Sequence, residues 1–105
     1  MLAVADGVGG WAESGIDPAQ YSRRLCKNLV EIYEKNDERI KRNTNEILIK
    51  AASENNEIGS STCVLAVLDD TEPLLYTSNL GDSGYLLLRK NGLDLMTLYK
   101  SKEQQ

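Results

Sequence analysis

At Gly59 the hydrophobic period of this chain changes, and that change does most to restrict what it can fold into. Before it, Tyr21, Leu25, Leu29 and Tyr33, with Cys26, Val30 and Ile32 alongside, recur at helical spacing and form one apolar face. Asp17-Pro18 supplies a helix start, Asp as N-cap and Pro at a first position whose N–H has no partner anyway, so a helix is expected from Pro18 to about Lys35. Thr44 is expected to cap a second helix carrying Ile47, Leu48, Ala51 and Ala52. Asn36 to Asn43, charged and turn-rich, reads as a mobile loop between the two.

After Gly59 the pattern is that of strands: Ser60–Leu68, Leu74–Leu80, Tyr85–Arg89 and Leu93–Tyr99. Asn91-Gly92 is the strongest hairpin signal, and the four segments read as one antiparallel meander. Met1–Ala5, wholly apolar and stopped by Asp6-Gly7-Val8-Gly9-Gly10, reads as a buried strand. The expected class is α+β, in one domain. At 105 residues, 41% of them apolar, the chain can bury a core without disulfides or a structural metal. Two cysteines make no disulfide framework. Cys26 and Cys63 read as small core residues in a reducing compartment.

Charge and residue counts narrow the chemistry. Twelve Lys and Arg against 16 Asp and Glu give a net charge of −4, which argues against nucleic acid as a partner. The apolar runs Val64–Leu68 and Leu86–Leu88 are far too short to span a membrane, and Met1–Ala5 lacks the features of a signal peptide. With no histidine, Ser-His-Asp and Cys-His nucleophile pairs, histidine-ligated zinc and phosphohistidine mechanisms are all excluded. Neither cysteine is followed by Arg six positions on, so the cysteine phosphatase loop is missing as well. What remains is chemistry on carboxylates, backbone groups or a bound ion.

Asp6, at the end of an apolar strand beside Gly7, Gly9 and Gly10, suits a hard cation such as magnesium or manganese, and Gly7 can add its carbonyl oxygen. Read alone, the same residues are an Asp opening a glycine turn. A nucleotide cradle is a weaker reading, because Gly7-Val8-Gly9-Gly10 lacks the dinucleotide spacing. Asn79-Leu80-Gly81-Asp82-Ser83-Gly84 reads alone as a hairpin turn carrying a second exposed carboxylate. Trp11 reads as packing at the core edge, and Ser60, Ser61 and Thr62 as sheet hydroxyls without a base to activate them. The charges from Asp37 to Arg42 read as a solvated loop.

Taken in order, Val4-Ala5-Asp6-Gly7-Val8-Gly9-Gly10-Trp11, the amphipathic helix, Gly59-Ser60-Ser61-Thr62 and Asn79-Leu80-Gly81-Asp82-Ser83-Gly84 resemble the type 2C family of metal-dependent protein serine/threonine phosphatases. Trp11, Gly15-Ile16-Asp17-Pro18 and Tyr21-Ser22 are most similar to its mitochondrial and plastid branch. The resemblance implies an α-β-β-α sandwich of antiparallel sheets with flanking helices, and two magnesium or manganese ions at one end of the sheets. By position, Asp6 resembles the carboxylate that bridges the ions, Gly7 the carbonyl ligand, and Asp82 a carboxylate of a weaker third position. The implied reaction is hydrolysis of phosphoserine or phosphothreonine in a phosphoprotein by a metal-activated water, with no covalent phosphoenzyme.

Val8 stands where many members carry histidine. The family also draws acidic ligands and a phosphate-binding arginine from segments preceding Asp6 and following Gln105. Residues 1–105 therefore read as the middle part of one phosphatase domain, weakly active or inactive alone. The alternative is a non-catalytic pseudophosphatase or binding module. The branch implies a mitochondrial matrix or plastid address, without a targeting segment in this sequence.

Overall fold

The computed structural model describes residues 1–35, 38–69 and 71–102. Strand β1 (Leu2–Val4) leads through a short 3-10 helix (Gly9–Ser14) into α1 (Pro18–Lys35). Two shorter helices follow, α2 (Glu38–Lys41) and α3 (Thr44–Ser53), then strands β2 (Cys63–Leu68), β3 (Leu75–Leu80), β4 (Leu86–Asn91) and β5 (Asp94–Lys100).

The helix expected from Pro18 to Lys35 forms over that span, with Asp17 Oδ1 accepting the N–H of Ala19 at 3.0 Å. The helix expected after a Thr44 cap begins at Thr44 itself, so its cap lies one residue earlier. Asn43, not Thr44, is the N-cap, its side chain accepting from the N–H of Glu46 at 3.1 Å. Thr44 is instead buried, and accepts the hydroxyl of Ser78 at 2.6 Å. The stretch read as a mobile loop holds the turn of helix α2, while residues 36 and 37, and with them Asp37, lie outside the described residues. Its charges are not all solvated either: Arg42 pairs with Asp69 at 3.1 Å, and the Lys41 ammonium lies 4.9 Å over the Tyr33 ring.

Strands β1, β2 and β3 form one antiparallel sheet in that order, with Val4 opposite Val64 and Cys63 opposite Leu80. Side chains alternate across a strand, so Cys63, Leu65 and Val67 point to one face and Val64 and Ala66 to the other. The first face meets α1 and α3. Leu25, Leu29, Ile32, Ile47, Leu48, Ala51, Cys63 and Leu65 make the core between them. Two amides fasten α1 to α3 and the segment after it: Asn28 Nδ2 donates to the Ala51 carbonyl at 3.1 Å, and Asn55 Nδ2 to the Tyr21 carbonyl at 3.0 Å.

The second face is open. Leu2, Val4, Val64, Ala66 and Leu75, with Leu86 and Leu87 opposite, line an apolar groove of about 500 Å³. The expected buried strand at Met1–Ala5 is therefore an edge strand, with Leu2 71% and Val4 60% exposed. Its apolar side chains face the groove and only Ala3 and Ala5 pack on the core. The expected four-stranded meander divides too. Strands β4 and β5 form their own two-stranded sheet, tied by the Asn91-Gly92 hairpin with Gly92 at φ 65° and a bulge between Leu87 and Leu88. Among the described helices none is long and apolar enough to cross a membrane.

Candidate metal-binding end of the sheet

In an antiparallel sheet the end of β1, the start of β2 and the end of β3 lie together, so the segments that follow or precede them share one end. That end carries the Asp6 turn, the Ser60–Thr62 segment and the Gly81–Ser83 turn. Thr62 joins all three. Its N–H donates to the Asp6 carbonyl at 2.9 Å, and its hydroxyl lies 2.8 Å from that of Ser83. Gly81, at φ 91°, is pressed so closely on Thr62 that a Cβ there would stand 2.6 Å from the threonine methyl. Sequence reading gave Thr62 only a place in the sheet, because nothing local in Gly59-Ser60-Ser61-Thr62 shows which turns its two ends will meet.

Gly7 forms an isolated antiparallel bridge with Ser61. The bonds on either side are Thr62 N–H to the Asp6 carbonyl and Val8 N–H to the Ser60 carbonyl at 3.0 Å. Gly7 is thus at a non-hydrogen-bonded position, where a residue's own N–H and C=O point away from the paired strand. Among the described residues its carbonyl has no backbone partner. The backbone is pinned there from behind, since a Cβ on Gly7 would lie 2.2 Å from the Pro18 carbonyl oxygen. Asp6 and Gly7 therefore offer an exposed carboxylate and an uncommitted carbonyl on successive residues of a fixed backbone.

The 3-10 helix that starts at Gly9 was not foreseen. Trp11 sits on it half-buried, its Nε1–H donating to Ser60 Oγ at 2.9 Å, so the packing role expected for Trp11 includes a bond that locks the Asp6 turn to Ser60. Gly15, left-handed at φ 78°, ends this helix and turns the chain into Asp17 and α1.

Asp82 is exposed on the neighbouring turn and borders a cavity of about 340 Å³ lined with Ser83, Gly84, Tyr85, Lys100 and Ser101. Asp6 does not line it. Hard cations take six or more oxygens. Among the described residues no three of His, Cys, Asp and Glu gather as an ion would require. The donors that are present, two exposed carboxylates and a carbonyl, have the hardness that such an ion prefers.

Cys63 follows Thr62 at this end of the sheet, with its side chain buried in the core that faces the helices. Burial pushes the thiol of Cys26 above its ordinary value, and that of Cys63 up to about 11, with a further contribution from the neighbouring Cys26. Both are free; Cys63 is the core residue expected, whereas Cys26 is only half-buried and lies outside the core cluster.

No family model matches the chain. Across 113 residues, and over 100% of its length, it is 42% identical to "Protein phosphatase PTC7 homolog" of Xenopus laevis and 41% to that of Homo sapiens. Over 105 residues it is 40% identical to "Probable protein phosphatase 2C 55" of Arabidopsis thaliana, covering 99% of this chain and 21% of that protein. It covers 35% of the frog protein and 34% of the human one, so it spans about a third of the length of these relatives. Among solved structures, the photosystem II phosphatase PBCP superposes with a TM-score of 0.81 at 32% identity, covering 95% of this chain and 37% of that one.

Proposed function

That the chain belongs to the type 2C protein phosphatase family is the premise from which we propose its chemistry, the hydrolysis of phosphoserine or phosphothreonine in a phosphoprotein. The observation that carries this reading is the pairing of Asp6 with the uncommitted Gly7 carbonyl, on backbone fixed by Thr62, Ser60 and Pro18. Asp6 and Gly7 would hold a magnesium or manganese ion, and Asp82 would serve a weaker position on the adjoining turn. When bound, such an ion supplies Lewis-acid neutralisation of phosphoryl charge and activation of water.

The chain's own residues do the positioning. Thr62 holds the Asp6 carbonyl and, through Ser83, sets the Asp82 turn against it. Trp11 and Ser60 hold the glycine turn so that the carboxylate is presented from a rigid strand end. The remaining oxygens needed for six-coordination come, in this reading, from other parts of one phosphatase domain, of which residues 1–105 are a segment. The branch likeness points the whole protein to the mitochondrial matrix or a plastid, which imaging of a tagged full-length protein checks.

Manganese titration calorimetry on the chain and on Asp6→Asn tests the assignment, with phosphopeptide hydrolysis followed in the same samples. Saturable binding that weakens in Asp6→Asn supports it, with hydrolysis by these residues alone near background. Binding unaffected by Asp6→Asn refutes the assignment and favours a non-catalytic binding role.

A further inference from the structure

The solvent face of α1 carries Gln20, Arg23, Arg24 and Lys27, at positions i, i+3, i+4 and i+7 of one helical stripe. The three cations are exposed, and with Gln20 and Glu57 they line a shallow depression of about 230 Å³. Among the described residues none of the three makes an ion pair. Like charges three and four residues apart destabilise a helix, and here Arg23 with Lys27 and Arg24 with Lys27 are such pairs in a chain of net charge −4. The stripe thus carries three exposed cations against one lining acid, Glu57, with Glu31 following one turn beyond Lys27.

The stripe begins beside the candidate site. The first turn of α1 rests on Gly7 through the Pro18 carbonyl, and Glu57 leads within three residues to Ser60, the partner of Val8. From Pro18 to Lys27 is nine residues, or about 14 Å along the helix axis. An extended peptide covers that length with about four residues.

We propose that the Arg23, Arg24 and Lys27 stripe docks an acidic stretch of the protein substrate, within about four residues of the phosphorylated residue. This rests on the phosphatase reading for its substrate, but the docking is measurable without turnover. The probe is a fluorescent, unphosphorylated Glu-rich peptide, followed by anisotropy beside a Gln-rich control, on the chain and on R23Q/R24Q/K27Q, whose three changes are all at exposed positions. The acidic peptide is expected to bind saturably, about tenfold more weakly to the triple variant and more weakly as salt rises. Asp6→Asn should bind it unchanged, so loss of manganese binding and loss of docking can be told apart. Equal affinity of the triple variant, or equal binding of the Gln-rich control, overturns the proposal. So does stripe-dependent binding to phosphatidylserine vesicles with no binding of the acidic peptide, which would make the stripe a membrane face.

Discussion

Gly7→Ala isolates the packing behind the candidate site, because the glycines of one short motif stand in opposite surroundings. A Cβ at Gly7 would come within 2.2 Å of the Pro18 carbonyl oxygen and 2.8 Å of its carbon, both backbone atoms of the first turn of α1. Neither can rotate away, so α1 or the Asp6 turn must shift. Gly9 has nothing within 4 Å of the same hypothetical atom and needs no positive φ. Overpacking of this kind costs about 1–3 kcal/mol. Gly9→Ala should instead gain about 0.4–1 kcal/mol by restricting the unfolded chain. In a domain of this size each kcal/mol moves the melting temperature by roughly 4–8 °C. Thermal and urea unfolding of the two variants beside the wild type should therefore separate them by at least about 5 °C, Gly7→Ala lower. The urea slope should be unchanged, since the surface exposed on unfolding is the same. If Gly7→Ala melts within a degree or two of Gly9→Ala, the close seating of Gly7 on Pro18 is wrong, and with it the fixed backbone on which the Asp6 assignment depends.

Asn28→Ala removes the donor to the Ala51 carbonyl, a buried group in the last turn of α3 with no intrahelical partner; it should cost about 1–3 kcal/mol in urea unfolding. Asp69 is held below its ordinary value of 3.8 by the N–H of Thr71 first, helped by the Thr71 hydroxyl, the Glu72 N–H and Arg42. A lowered carboxylate stabilises the fold above its unfolded value, and that contribution is lost as pH falls through the folded value. Asp69→Asn should accordingly flatten the acid limb of stability below about pH 4. For Cys63 the sign is opposite: its raised thiol contributes stability below its ordinary value of 9.0, lost as pH rises through about 11. At pH 8 alkylation of Cys63 should be slow in the native protein and fast in urea, as peptide mass mapping would show.

The local elements were legible where their causes are local. Asp17-Pro18 and the apolar stripe of Tyr21, Leu25 and Leu29 set α1, and Asn91-Gly92 set the β4–β5 hairpin, because capping and turn dihedrals depend on neighbours in sequence. The motif order also pointed to the family. Misreadings occurred where a strand's neighbours decide its fate. An apolar run such as Met1–Ala5 has the same composition whether it lies inside a sheet or at its edge, and only its pairing with β2 alone shows which. Asn43 caps the helix in place of Thr44, whose hydroxyl accepts from Ser78, 34 residues away, a partner that no local pattern shows.

By itself, then, the sequence determined the span of α1, the Asn91-Gly92 hairpin turn, the absence of histidine chemistry, and the Asp6 and Asp82 turns as its acidic candidates. Tertiary structure alone decided that those turns adjoin, through Thr62, that the Gly7 carbonyl is left uncommitted, and that β1 to β3 and β4 to β5 are separate sheets. The reason is physical: propensity and capping act over a few residues, whereas antiparallel pairing brings residues 6, 62 and 82 to one sheet end only after the intervening chain has packed.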